Sequence, residues 1–177
     1  MRDITWYWNM VHYCIYLFFI NVFKLMNYLN PLYYILKIKG VKRYYAKHGV
    51  DDMQGLTTRV SNNPKTGINS IHAGGLMIGL IGVLLFGIFD YSQLFFSASL
   101  DDLVFRNDTN DTLFLLCLII LSFLFNYLTL FKGNKYLEYF KEFDEMDGAK
   151  KIEYYWMSLI VVLFIISFFI ISFKFTR

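Results

Sequence analysis

The sequence predicts an all-α integral membrane protein, and three observations carry that expectation. The chain has 177 residues, 56% hydrophobic and 20% aromatic, with a mean hydropathy of +0.42. That is more apolar side chain than one soluble domain of this length can bury. Three stretches, 71–89, 113–131 and 156–173, are apolar over nearly the 20 residues a helix needs to cross about 30 Å of hydrocarbon. The segment before the first of these stretches is basic, and the one after it is acidic.

The N-terminal part, 1–36, comes first. Residues 10–23 are apolar apart from His12 and Asn21, a run of 14 residues before Lys24. By length this is an interfacial or buried helix, or a strained fourth span if Trp6 and Trp8 anchor its start. A signal peptide is not expected, because the basic start is minimal and no small-residue cleavage site follows. Pro31 after Asn30 predicts a break, after which residues 32–40 resume as a short basic helix that Gly40 ends.

Residues 37–70 form a basic segment leading to the first span. Positions 37–48 carry five Lys or Arg and no acid, whereas 90–112 carry Asp90, Asp101, Asp102, Asp108 and Asp111 against Arg106 alone. The positive-inside rule places 37–70 in the cytoplasm and 90–112 outside. The next loop, 132–154, has five lysines and falls on the cytoplasmic side again. Tyr127 near the end of the second span, and Tyr154, Tyr155 and Trp156 at the start of the third, suit headgroup-level boundaries.

Within these elements, Gly75, Gly79 and Gly82 recur at i, i+4 and i+7 of the first span and share one helical face. A bare glycine stripe admits another helix closely, either a second copy of the chain or one of its own spans. In the 132–154 loop, Tyr136, Phe140 and Phe143 fall on one face of an amphipathic helix expected to continue the second span. It is expected to lie on its own protein or on headgroups. The 107–112 run, NDTNDT, matches the glycosylation acceptor pattern twice, but it is also ordinary turn chemistry, and the turn is expected.

Conventional catalytic chemistry is not indicated. No phosphate-binding glycine loop, H-E-x-x-H or G-x-S-x-G occurs, and His12, His48 and His72 lack the spacing of a metal site. Cys14 and Cys117, both in apolar runs, are expected to be small packing residues. No cofactor or metal is expected. A net charge of +3 is too small to imply nucleic-acid binding, so direct contact with RNA is not expected either.

Arg43 and His48 remain, in the basic aromatic run KRYYAKHG. Arg-x4-His is the signature of HEPN ribonucleases, in which a histidine serves as general acid or base and an arginine stabilises phosphate charge. At a membrane surface the same pair binds anionic headgroups and fixes an orientation. A small domain with several spans, an aromatic-rich apolar composition and this divergent motif resembles the small membrane accessory proteins of type VI-B CRISPR systems. The resemblance covers the whole chain in size and span pattern, with Arg43 and His48 as its one motif. It departs from that pattern in placing the motif on a short basic segment between Gly40 and Gly49 rather than on a long helix.

The resemblance implies a multi-pass protein of the bacterial inner membrane. It would form a ring-like homo-oligomer with a central pore and strengthen antiviral defence in partnership with an RNA-guided RNase. Arg43 and His48 would then serve assembly or gating, and Gly75, Gly79 and Gly82 the contact between copies. Two rivals stand beside it: a membrane-anchored HEPN-like ribonuclease, and a passive small subunit of a larger membrane complex. The passive subunit draws on the lack of formal charge inside the spans.

Overall fold

The computed structural model describes residues 3–93 and 108–175, and every regular element among them is helical. The described chain divides into two compact units, Met1–His12 with Gly75–Arg177, and Tyr13–Gly74. Helices α1 (Ile4–Leu29), α5 (Ile68–Ser92), α6 (starting at Asp108) and α8 (Gly148–Phe175) supply four segments long and apolar enough to cross a membrane. The chain is thus an all-α protein built for several passes.

Helix α1 is longer than the 14-residue apolar run predicted. It holds neither glycine nor proline, so nothing interrupts it between Asp3, whose carboxylate accepts from Trp6 N at 2.9 Å, and Asn30. Its 26 residues extend about 39 Å at 1.5 Å each, so no strain is needed to span. Lys24 sits inside the helix with its charge exposed.

The Tyr13–Gly74 unit corrects a second expectation. Asn30 caps α2 (Pro31–Ile35) by accepting from Leu32 N at 3.0 Å, with Pro31 where a missing N–H costs nothing. The chain then breaks and restarts as α3 (Lys39–Lys47), with Gly40 in its first turn. The single basic helix over 32–40 is therefore two pieces, and Gly40 begins the second instead of ending the first. It is Gly49, at φ +80°, that turns the chain beyond α3. Helix α4 (Met53–Ser61) is capped by Asp52, which accepts from Gly55 N at 2.9 Å.

Residues 62–70 tie the approach to α5. Asn63 Oδ1 accepts from Lys65 N and Thr66 N, Ser70 Oγ donates to Pro64 O, and Asn69 Nδ2 donates to Asn62 Oδ1 at 2.7 Å. This turn-former run is a network that starts a helix. Gly67 is required inside it, because a Cβ there would fall 2.4 Å from Ser61 O and 2.5 Å from Asn63 O.

In the other unit, α6 and α8 each cover one narrow stripe and leave much of the rest bare, whereas on α5 only Gly75, Leu76, Gly79 and Ile88 are exposed between Gly75 and Ser92. On α6 (Asp108–Asn126) and its continuation the stripe runs at four-residue spacing, with Ser122, Asn126 and Leu130 fully buried. On α8 it runs at seven-residue spacing through Ser158, Ile165 and Ser172. Serines at three of these positions let helices approach closely where lipid offers no hydrophobic drive to association. Phe86 meets Phe114, Phe169 and Phe173 with ring centroids 5.7–6.0 Å apart, closing one end of the bundle.

At the other end the second span does not simply continue. Helix α6 passes into a π-turn (Tyr127–Phe131) and a 3-10 turn (Lys132–Asn134), where Gly133 (φ 69°) and Asn134 (φ 56°) are left-handed and stop the ladder. Helix α7 (Lys135–Asp144) starts afresh beyond them. Its predicted face is as expected: Tyr136, Phe140 and Phe143 are buried. They lie on the chain itself, Tyr136 and Phe140 against His12 and Phe143 against Trp6.

Two smaller expectations change. Cys14 is a buried packing residue, but Cys117 is exposed on α6 among lipid-compatible neighbours. Asp90, predicted to lie just beyond the first span, is inside α5 and buried, because Ser172 Oγ donates to its Oδ2 at 2.9 Å. Of the acidic stretch 90–112, positions 94–107 are outside the described residues, while Asn110 and Asp111 lie in the first turns of α6.

Candidate functional site

Arg43 and His48 sit on α3 and at its C-cap, both exposed. Five helical residues separate directions by roughly 140° around the axis, so the two side chains do not share a face. His48 turns back on its own helix: Nδ1 is 2.8 Å from Tyr44 O, and its ring lies 4.5 Å from that of Tyr44. Around the helix axis, Lys39, Lys42, Arg43 and Lys47 occupy one side and Val41, Tyr44 and Tyr45 the other.

The glycine stripe divides on inspection. Gly75 and Gly79 are exposed, and a Cβ at either would meet nothing within 4 Å. Gly82 is covered by its own chain, with Ser122 Oγ 3.4 Å from its Cβ position. Gly79 and Gly82 border an apolar groove of about 310 Å³ between α5 and α6, with Phe169 of α8 also in its lining. The closest internal helix contact belongs to Gly87, outside the stripe, whose Cβ would fall 2.9 Å from the Phe168 ring.

Sequence reasoning missed a buried polar seam where the start of α1 meets the end of α6. Trp8 Nε1 donates to Asn126 Oδ1 at 3.0 Å. The Asn126 amide donates onward to Ser122 O at 2.9 Å and Met77 O at 3.3 Å, so one side chain joins α1, α5 and α6. Asn9 Nδ2 donates to Thr5 O and, at 3.1 Å, to Thr129 O in the π-turn. A helix end leaves carbonyls short of internal donors, and Asn9 reaches one of them.

One turn further along α1 lies His12, fully buried among Phe131, Tyr136 and Phe140, with ring centroids 5.1–6.1 Å away. Neither of its ring nitrogens has a hydrogen-bond partner. An imidazole so placed activates no nucleophile, since general base catalysis needs hydrogen-bond reach to the proton taken. Among the described residues no three His, Cys, Asp or Glu side chains gather as metal ligands. The available signal was each polar residue isolated in an apolar run: Asn9, His12 and Asn126.

Fold and site together define a multi-pass, all-helical membrane protein whose polar groups pin helices together. No family model, curated protein or solved structure matches the chain.

Proposed function

We propose that the chain self-associates in the bacterial inner membrane through the Gly75 and Gly79 face of α5. The resulting pore-like oligomer permeabilises or depolarises that membrane in support of RNA-targeting CRISPR defence. The observation that carries the oligomer is the bareness of Gly75 and Gly79: among the described residues, nothing beyond the local helix backbone comes within 4 Å of either Cβ position. A helix face without side chains offers close backbone approach to a second helix in lipid. Support for the defence role is the resemblance in size, span pattern and the exposed Arg43 and His48, which serve assembly or gating.

The test exploits the empty space. Gly75→Leu with Gly79→Leu starts from Cβ positions that no described residue outside the local helix backbone approaches within 4 Å, and an unchanged helical circular-dichroism spectrum and thermal midpoint verify that the fold is kept while an approaching copy is blocked. Light scattering of detergent-purified protein is expected to give a discrete multi-subunit mass for the parent and a monomer for the variant. Vesicle leakage should be lost in parallel. A monomeric parent overturns self-association and leaves a passive subunit of a larger complex.

The exposure of both Arg43 and His48 favours a second role, a membrane-anchored HEPN-like ribonuclease. It requires guide-independent RNA cleavage by the purified protein, abolished by His48→Ala; no cleavage removes it.

A further inference from the structure

We infer that the stretch from the end of α1 through α3 is a docking surface for anionic lipid headgroups, with its apolar side chains sunk at the membrane interface. This rests on the chain's being a membrane protein.

The apolar half of the surface is uncovered. Tyr28, Leu29, Leu32, Ile35, Ile38 and Tyr44 are each between 46% and 70% exposed, and neither α2 nor α3 buries a single residue. Contiguous exposed apolar side chains at this density mark a contact with something other than water. The flanking tyrosines carry a hydroxyl on an apolar ring, the side chain favoured at headgroup depth. Tyr34 already uses its hydroxyl on Tyr28 O at 2.8 Å, fixing the two rings beside each other.

The charged half is of one sign. No acid occurs between Asp3 and Asp51, and Lys24, Lys37, Lys39, Lys42, Arg43 and Lys47 lie within that interval. Lys37 Nζ stands 4.7 Å from the Tyr33 ring centre and 5.4 Å from that of Tyr34, so its stem follows the apolar surface while its charge stays at the edge. On α3 the four cations occupy the side opposite Val41, Tyr44 and Tyr45, the pattern of a helix lying in the interface plane.

The same features select lipid over RNA. A phosphate backbone would satisfy the lysines, but Leu29, Leu32, Ile35 and Ile38 stay bare beside it. Acyl chains cover them while the headgroups meet the cations.

The full chain, with Cys14→Ala and Cys117→Ala, carries an environment-sensitive fluorophore at Ile38→Cys, and in a second preparation at Leu32→Cys. Each is reconstituted into vesicles of phosphatidylcholine alone, or with roughly a third phosphatidylglycerol, containing lipids spin-labelled near the headgroup. Flotation with the vesicles verifies insertion. Quenching at both sites is expected to be about threefold stronger in the anionic vesicles and to fall as salt screens the charges. It should drop to the neutral-lipid level when Lys39, Lys42, Arg43 and Lys47 are all changed to Gln.

Equal quenching in both lipids overturns headgroup recognition. Absence of quenching in protein that floats overturns docking on any lipid. A probe shift produced by a single-stranded RNA oligonucleotide, and not by anionic lipid, assigns the surface to RNA. Failure to float overturns the membrane assignment itself, and the docking surface with it.

Discussion

At the scale of single residues, His12 is the least reconciled group among those described. Both ring nitrogens are buried without a partner, and an unsatisfied buried polar atom costs its desolvation in full. His12→Leu, of similar volume, should stabilise the detergent-solubilised protein by about 1–3 kcal/mol, read as a higher thermal midpoint. A lower midpoint would mean that the imidazole holds something. Asn126 is the opposite case, with its donors and acceptor all engaged. Asn126→Leu should cost about 1–3 kcal/mol by orphaning Trp8 Nε1, and Trp8→Phe in the same chain should recover part of it. A double-mutant cycle that shows simple additivity would dissolve the pairing. Each polar residue was visible in the sequence as an isolated letter in an apolar run. What joins them was not, because Trp8 meets Asn126, and Asn9 meets Thr129, only through folding across more than a hundred positions.

At the scale of elements, glycines separate the parts legible in sequence from those that were not. The i, i+4, i+7 stripe on α5 was readable from helical periodicity alone. Which glycine packs internally depends on where α8 lies, and that picked out Gly87 instead. Gly67→Ala drives a Cβ into two backbone carbonyls and should destabilise the start of α5 by about 3 kcal/mol. Gly40→Ala, in open space within α3, should stabilise by about 0.5–1 kcal/mol. Hydrogen exchange of the α5 and α3 amides reads both; protection rising at α5 in the first variant would contradict the clash. The break after α6 was missed for a related reason. Gly133 was visible, but the left-handed φ that it shares with its neighbour Asn134, which together stop the ladder, was not.

At the scale of the whole molecule, helical class and three of the span locations follow from hydropathy and length. These are properties that a bilayer imposes on any sequence. The ends were misplaced in one direction: α5 and α8 extend beyond their apolar cores, and α1 runs well past its own. Helices need only an unbroken backbone to continue, so they outlast the hydrophobic stretch that nucleates the assignment. The uncovered glycines make a whole-molecule prediction as well. On the proposed defence role, Arg43→Ala with His48→Ala is expected to abolish phage protection, with a change in oligomer mass if the pair serves assembly and none if it serves gating. Full protection with unchanged mass would remove both residues from the mechanism.

The polar groups also set a ruler along the bundle. Met77 O, bonded to Asn126, and Asp90, bonded to Ser172, lie thirteen residues apart on α5, about 20 Å at 1.5 Å per residue. A typical hydrocarbon layer is about 30 Å deep, enough to take in both attachments. In a thick membrane the two hydrogen-bonded pins are sealed from water and hold the helices as rivets do. In a thin one they reach the wetted boundary, water competes for them, and the bundle loosens. Acyl-chain length is therefore a dial on the cohesion of this protein, set by the spacing of two buried polar contacts.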